Sequence, residues 1–509
     1  MSEQAGQIKR NLIFNILSLF ANVGVGILYT PYLIKSLGLL AYGIVPLALI
    51  INQYVSVLTG SLTSALTRFY SIALQKNDHK EASKYLSTSL IVVLGVVLLL
   101  TIPMYFVVEK IDVIFNIPKD LVQSAKGLFS FTLASFALSL FSSVFNITLY
   151  AINRLDYLNL IKIIRSVFKL AIVMVIFFFL DKDIKYVGVA NFLTELIILF
   201  VSIILFFQFT KRRVRISFKS FDKSSLSVLS AMASWVIVQQ LGDTMLYRID
   251  NVLINKFWTT KESGIIGAFT ELGSYTIIVS SVIGSLFGPL ILQAFAKDDH
   301  ETVKKMSIDR SISIGILLAV IIGIICGFSS VILKVWVGDE FVPFRFWMYL
   351  KLILIPFYAA AGVFAFACRA WNRVRQPAII TLLLGVANFI FVWLIAKYFH
   401  DWNFAISTIL IICLIFGIGQ SYFLNGIIFS TLYRDTKRAV YWGALKIALS
   451  LGLTFLISFA VCSNFMTSSN VINLLLIGVF SIILTVLSFQ IFLTKNQKKG
   501  MSELIFRVK

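Results

Sequence analysis

The sequence predicts an all-α polytopic membrane protein. It would have about fourteen transmembrane helices, arranged as two parallel pseudo-symmetric six-helix lobes plus two C-terminal helices. Three observations predict it. Of 509 residues, 59% are hydrophobic and only 14% charged, with a mean hydropathy of +0.91, whereas soluble domains sit near ~45–50% apolar and about 25% charged. The apolar residues gather in long runs, and about 20 such residues cross a bilayer. Finally, the polar island Gln75–Tyr85 (QKNDHKEASKY) recurs 221 residues later as Ala296–Met306 (AKDDHETVKKM), where Lys76, Asp78, His79 and Lys84 reappear as Lys297, Asp299, His300 and Lys305. Asn153-Arg154 answers Asn372-Arg373 and Gly43-Ile44 answers Gly264-Ile265 at nearly the same offset. Repeats of this kind mark a chain built by duplication, a construction common in membrane transporters.

In order, the runs fall near 11–34, 42–66, 86–108, 124–150, 161–180, 187–209, 226–256, 263–293, 311–333, 346–368, 377–397, 404–429, 441–462 and 472–493. Connectors on the N-terminal side hold about three times as many Lys and Arg as the opposite ones, including the KRRVR cluster after the sixth run. That bias places both termini in the cytoplasm. Six runs separate the two polar islands, an even number, so both copies insert with the same polarity and the repeat axis follows the membrane normal. The resulting division is 1–209, a basic linker 210–225, 226–429, and 430–509 for the last two spans and basic tail.

The net charge of +21 is spread over connectors, which speaks for membrane orientation and against a nucleic-acid partner. Cys326, Cys368, Cys413 and Cys462 lie in or at the ends of apolar runs and form no CxxC pair, so they read as small buried hydrophobes. None of the three histidines, His79, His300 and His400, lies inside a run, which argues against a zinc or haem centre. The N-terminus shows no small-residue cleavage site and reads as an uncleaved first span. No GxxxxGK[ST] segment is present, so the chain does not itself hydrolyse ATP. No cofactor is expected beyond a possible coupling ion, Na+ or H+.

Ionisable groups inside spans are costly and face a cavity or a partner. Lys126, Lys351 and Lys446 lie near span ends and read as snorkelling. In the fifth span Lys162, Arg165 and Lys169 are spaced by three and four, on one helix face. They form either a ladder for an anionic headgroup or an inner-surface anchor; Lys169 is too deep for anchoring alone. Glu195 of the sixth span is placed to pair with Lys169, as a structural ion pair or as a coupling carboxylate. In the seventh span Gln239, Asp243, Tyr247 and Asp250 recur at four, four and three, and Arg248 points away from the acids. A group from another helix is then needed, and Glu271 of the eighth span is the candidate. Two readings stand, cation binding or an interlobe gate. Arg68, at the inner end of the second span, lines a cavity mouth or anchors that end. His79 and His300 of the two islands read either as a pH-sensing pair or as residues that cap or pack short amphipathic helices between spans.

The opening NLIFNILSLFANVGVGILYTPYLIKSLGLLAYGIVPLALI and the segment LYRIDNVLINKFWTTKESGIIGAF resemble the multidrug/oligosaccharidyl-lipid/polysaccharide exporter superfamily, in particular its bacterial polysaccharide-transporter branch. The resemblance implies a flippase in the bacterial cytoplasmic (inner) membrane. Its cargo would be an undecaprenyl-diphosphate-linked oligosaccharide repeat unit, as in O-antigen or capsule synthesis, moved by two lobes that alternate around a central cavity. Substrate-cavity cations would be Arg165, Lys169, Arg248 and Arg68; coupling or gate carboxylates would be Glu195, Asp243, Asp250 and Glu271. The expected partners are the lipid-linked oligosaccharide, membrane lipids, and a polymerase with its chain-length machinery. Two alternatives remain at this stage: a lipid II flippase on the same fold, and a membrane glycosyltransferase or O-antigen polymerase.

Overall fold

The computed structural model describes residues 2–50, 66, 70–74, 76–211, 213–217, 235, 237–371, 375–399, 401–466, 469–495 and 497–498. Every regular element among them is helical. The long helices are α1 (Ser2–Leu37), α2 (His79–Glu109), α3 (Val122–Ala151), α4 (Leu155–Phe179) and α5 (Lys185–Thr210). Next come α6 (Ile249–Phe257), α7 (Thr260–Ala296), α8 (His300–Gly327), α9 (Arg345–Leu352) and α10 (Leu354–Ala370). The chain finishes with α11 (Arg375–Tyr398), α12 (Trp402–Ile418), α13 (Asn425–Leu432), α14 (Lys437–Phe465) and α15 (Asn470–Phe492). Ten stretches among the described residues are long and apolar enough to cross a membrane. Most of the expected second span, and part of the seventh, lies outside the described residues. The chain forms two compact units, Met1–Thr244 with Asn251–Gly264, and Met245–Asp250 with Ile265–Lys509.

In the first unit α1 and α4 pack side by side in the same direction. Their contacts climb together: Arg10 with Asp156, Ser18 with Asn159, Asn22 with Ser166, and Tyr29 and Tyr32 with Lys169 and Phe177. On α1 the polar positions Gln7, Asn11, Ser18, Asn22 and Tyr29 step by four and seven, which keeps them on one face. That face is spent on α4 and on the loop before it, where Gln7 and Asn11 both donate to the Asn153 carbonyl. Lipid gives apolar helices no hydrophobic reason to associate, so close packing and hydrogen bonds must hold such pairs.

α3 and α5 are also parallel, with Leu128 against Gly188, Phe131 against Phe192, and Phe145 against Phe206. A Cβ on Gly188 would sit 2.8 Å from the Leu128 carbonyl oxygen, so the approach requires glycine. The parallel arrangement fixes the role of α4. The end of α3 must be carried back to the start of α5, and 25 residues of helix reach about 37 Å. α4 therefore crosses the bilayer and carries Lys162, Arg165 and Lys169 along its length, more charge than the ten stretches above hold in their apolar cores. The remaining core of this unit joins Tyr70, Leu86 and Val93 to Leu140, Phe145 and Phe206.

In the second unit α8 and α14 are parallel as well. Gly315, Gly323 and Gly327 of α8 face Ile447, Thr454 and Ser458 of α14. Thr454 fills the space that a side chain at Gly323 would need. α15 adds Leu484 to the same core, beside Val320, Phe328 and Val461. The last two helices thus pack into the second unit rather than standing apart from it.

The two repeated islands fold alike. Asn77 and Asp298 hold left-handed backbone (φ 58° and 57°). Asp78 and Asp299 follow as N-caps, accepting from the amides of Glu81 and Thr302. The backbone bonds coincide too: Asp78 and Asp299 donate to Ala73 and Ala294, five residues back, and His79 and His300 to the preceding Asn77 and Asp298. The caps are therefore the aspartates rather than the histidines, and they open two long helices in place of the short amphipathic ones expected. His300 further stacks on Trp371 at 5.2 Å and meets Phe295 and Tyr433, and Trp371 donates to the Tyr433 hydroxyl.

Candidate functional site

A cavity of about 550 Å³ opens in the first unit between α3, α4 and α5. Ser139, Ser143, Asn146, Ile147 and Tyr150 of α3 line it, with Leu158 and Arg165 of α4 and Glu195 of α5. The polar α3 residues recur at four, three and four, which places them on one face of the helix. Arg165 donates from Nη2 to Glu195 Oε2 at 3.1 Å, and its Nε lies 2.7 Å from Oε1 as an ion-pair contact without a hydrogen bond. The Glu195 side chain is only 13% exposed against 38% for Arg165, so the guanidinium keeps a face toward the cavity.

This corrects the expected partnership of Glu195 with Lys169. Depth alone favours Lys169, but four residues carry a helix about 40° past a full turn, and Lys169 lies over the Tyr29 ring of α1 at 4.6 Å. Lys162 donates to Asn159, whose side chain also accepts from Ser18. The cationic ladder therefore splits: two lysines go to the α1 side, and Arg165 alone lines the cavity. At the foot of α4, Asp156 is gripped by Arg154 and Arg10. Burial by itself would raise the pKa of this carboxyl. The hydrogen bonds from the two arginines outweigh burial and hold it below the usual carboxylate range.

The second unit holds a buried polar cluster. Asp250, with a side chain 1% exposed, pairs with Lys351 of α9 at 2.6 Å. Lys351 is thus no snorkelling residue, and it rather than Glu271 supplies the partner that Asp250 needs. Tyr247 donates to Gln420 at 2.6 Å, and Gln420 donates to Thr381 at 2.8 Å. Gln420 sits in a π-helical turn, Gly419–Leu424, between α12 and α13. Asn388 donates to the Met245 carbonyl. A turn at Arg248 interrupts the seventh-span helix before α6 begins, so the expected single stripe of polar residues is not carried on one unbroken helix. Asp243, Arg248 and Glu271 are each partly buried; Arg68 lies outside the described residues. Sequence reasoning passed over Lys351 and the α3 stripe, although the four-three-four spacing of the latter is visible in the fourth span.

The helical fold, the spans and these intramembrane polar sites define a multi-pass membrane transporter. The family model "Polysaccharide biosynthesis protein" matches residues 8–295. The chain belongs to that family, and with it to the polysaccharide-transporter branch of the multidrug/oligosaccharidyl-lipid/polysaccharide exporter superfamily. It is 25% identical over 388 residues to the uncharacterized membrane protein EpsK of Bacillus subtilis, across 74% of this chain and 75% of that one. Its fold is similar to that of the lipid II flippase MurJ in an inward closed conformation, with TM-score 0.65 and 16% identity over 97% of this chain and 98% of MurJ. It is also similar to an inward-facing multidrug-resistance MATE family transporter, with TM-score 0.62 and 16% identity over 87% and 98%. The protein is a flippase or transporter of this type, and not a glycosyltransferase or polymerase.

Proposed function

We propose that the protein moves an undecaprenyl-diphosphate-linked oligosaccharide from the inner to the outer leaflet of the bacterial cytoplasmic membrane, with both termini inside. The observation that carries this reading is Arg165: a partly open guanidinium that shares a cavity wall with Ser139, Ser143, Asn146 and Glu195 within a bilayer-crossing bundle. Guanidinium binds phosphate oxygens with two donors. A diphosphate would compete with Glu195 for Arg165, so cargo entry is coupled to release of the carboxylate, which is then free to take up a proton or a sodium ion. Outward movement of negative charge is favoured by about 2.3 kcal/mol per charge for each 100 mV of inside-negative potential. The exported units would feed a polymerase and its chain-length machinery on the outer face. The likeness to MurJ supports a second reading equally well, that the cargo is lipid II.

Vesicles reconstituted with the protein test both. Translocation of a labelled lipid-linked oligosaccharide, at least tenfold slower in Arg165→Gln, is the expected result. Rates indifferent to membrane potential and to ion gradients would remove the coupling. Preference for lipid II over other lipid-linked sugars would decide for the second reading.

A further inference from the structure

We propose that the start of the linker after α5 and the first turns of α2 together form a binding surface for anionic phospholipids of the cytoplasmic leaflet. α5 ends at Thr210, and Lys211 turns the chain with left-handed backbone (φ 48°). The residues that follow are strapped onto α2. The Arg215 amide donates to Ser83 Oγ at 2.9 Å and the Ser217 amide to Ser87 Oγ at 3.1 Å, while the Ser87 hydroxyl reaches the Arg215 carbonyl at 3.5 Å. Val214 is 1% exposed, in the core with Tyr70, Ala82 and Leu86, whereas Arg213 and Arg215 on either side of it stay outside. Lys80 and Lys84 precede the two serines by three residues each, the spacing of neighbours on a helix surface. The strap thus gathers Lys76, Lys80 and Lys84 with Lys211, Arg213 and Arg215, all exposed, from two distant segments. Two acids lie among them, Asp78, which caps α2, and Glu81, which accepts from Tyr85. Among the described residues none of the six cations makes an ion pair.

The depth of this surface selects the partner. α2 carries no charged residue between Lys84 and Glu109, so Lys80 and Lys84 stand where the span meets the headgroups. Ile216, 42% exposed next to Arg215, adds an apolar side chain suited to the boundary between headgroups and acyl chains. Clusters of about four to eight Lys and Arg beside a span attract anionic headgroups. Lipid meets the charges with its phosphates and covers Ile216 with its chains. The surface belongs to the first half alone: at the repeat offset Lys80, Ser83 and Ser87 fall on Glu301, Lys304 and Ile308, so the second island lacks the serine row. A general excess of inner cations orients spans, but these are fixed against a helix, and lipid bound here holds down the linker between the halves. The choice of leaflet rests on the orientation proposed above.

The test places the full-length protein in nanodiscs of phosphatidylcholine, with or without phosphatidylglycerol, and reads amide exchange over residues 213–217. Exchange is expected to be at least fivefold slower with phosphatidylglycerol, because the Arg215 and Ser217 amides exchange when the strap lifts from α2. Salt at about 1 M, where the Debye length is ~3 Å, is expected to remove the difference. Lys80→Gln, Lys84→Gln, Arg213→Gln and Arg215→Gln combined, all at exposed positions, are expected to abolish the lipid dependence while leaving Tm at the wild-type value. Equal exchange in the two lipids, or a lipid dependence that survives in the quadruple variant, overturns the inference. Inorganic phosphate that slows exchange in phosphatidylcholine as strongly as phosphatidylglycerol does marks a free-phosphate site instead, and slowing by polyglutamate alone marks a surface for an acidic protein; either result overturns it. Exchange is read without transport, so the transport reading stands or falls separately.

Discussion

Removing one member of the Asp250–Lys351 pair should damage the second unit far more than removing both. The two side chains are 1% and 13% exposed and 2.6 Å apart, and the second oxygen of Asp250 is buried without a hydrogen-bond partner. Lys351 therefore carries almost all the compensation for that charge. Breaking a buried pair by deleting one partner costs about 3–5 kcal/mol, whereas replacing both with apolar groups is often neutral. For a unit of about 250 residues, each kcal/mol moves Tm by about 2–4 °C, so Lys351→Met should melt about 6–20 °C lower. Asp250→Asn should cost less, because the more exposed lysine has some access to water. The double variant Asp250→Leu/Lys351→Met should return to within a few degrees of wild type. Thermal unfolding of the four proteins in one detergent measures this directly. A Lys351→Met variant that melts with wild type, or a double variant worse than the two singles together, would refute the reasoning. The same set also bears on coupling. A double variant that still transports shows that the pair serves structure, and one that is stable but inactive shows that Asp250 does more.

Three further outcomes are expected. Gly323→Val forces a branched side chain into Thr454 and should cost about 1–3 kcal/mol, read as a lower Tm, while Gly452→Ala, where nothing lies within 4 Å, should not. Asp78→Ala removes the cap of α2 and should lose about 1 kcal/mol, seen as faster amide exchange in the first turn of that helix. Because the Asp156 carboxyl is held below the usual carboxylate range, its contribution is complete at neutral pH and disappears only as pH falls below about 3.9, the ordinary value. Amide protection factors near residues 154–158, corrected for the intrinsic pH dependence of exchange, should therefore be steady from pH 8 to 5, with Asp156→Asn reproducing the acid behaviour at pH 7. The half-exposed Arg10 should matter less than Arg154, since solvent screens exposed pairs.

The ten long apolar helices are legible in the sequence because hydrocarbon thickness sets their length. The two N-caps are legible for a local reason: Asp78 and Asp299 act on amides three residues ahead. Partnerships between helices are not. Lys169 and Arg165 differ by four residues and look interchangeable on a helical wheel, yet one meets Tyr29 and the other Glu195, because α4 lies between α1 and α5. Lys351 looked like a span-end lysine, because its proximity to Asp250 comes from 101 residues of intervening fold. The turn at Arg248 carries no proline or adjacent glycine to announce it.

The repeated corner has a consequence for how such chains diversify. At Asn77–His79 and Asp298–His300 the backbone makes the same exit from one helix and the same entry into the next, using only bonds within a few residues. That makes it a splice point at which one relative's helices can be joined to another's without rebuilding the turn. Segment α2–α7 can therefore travel as a cassette, and a chimera cut at these corners should inherit the cargo preference of whichever parent supplies the cavity walls.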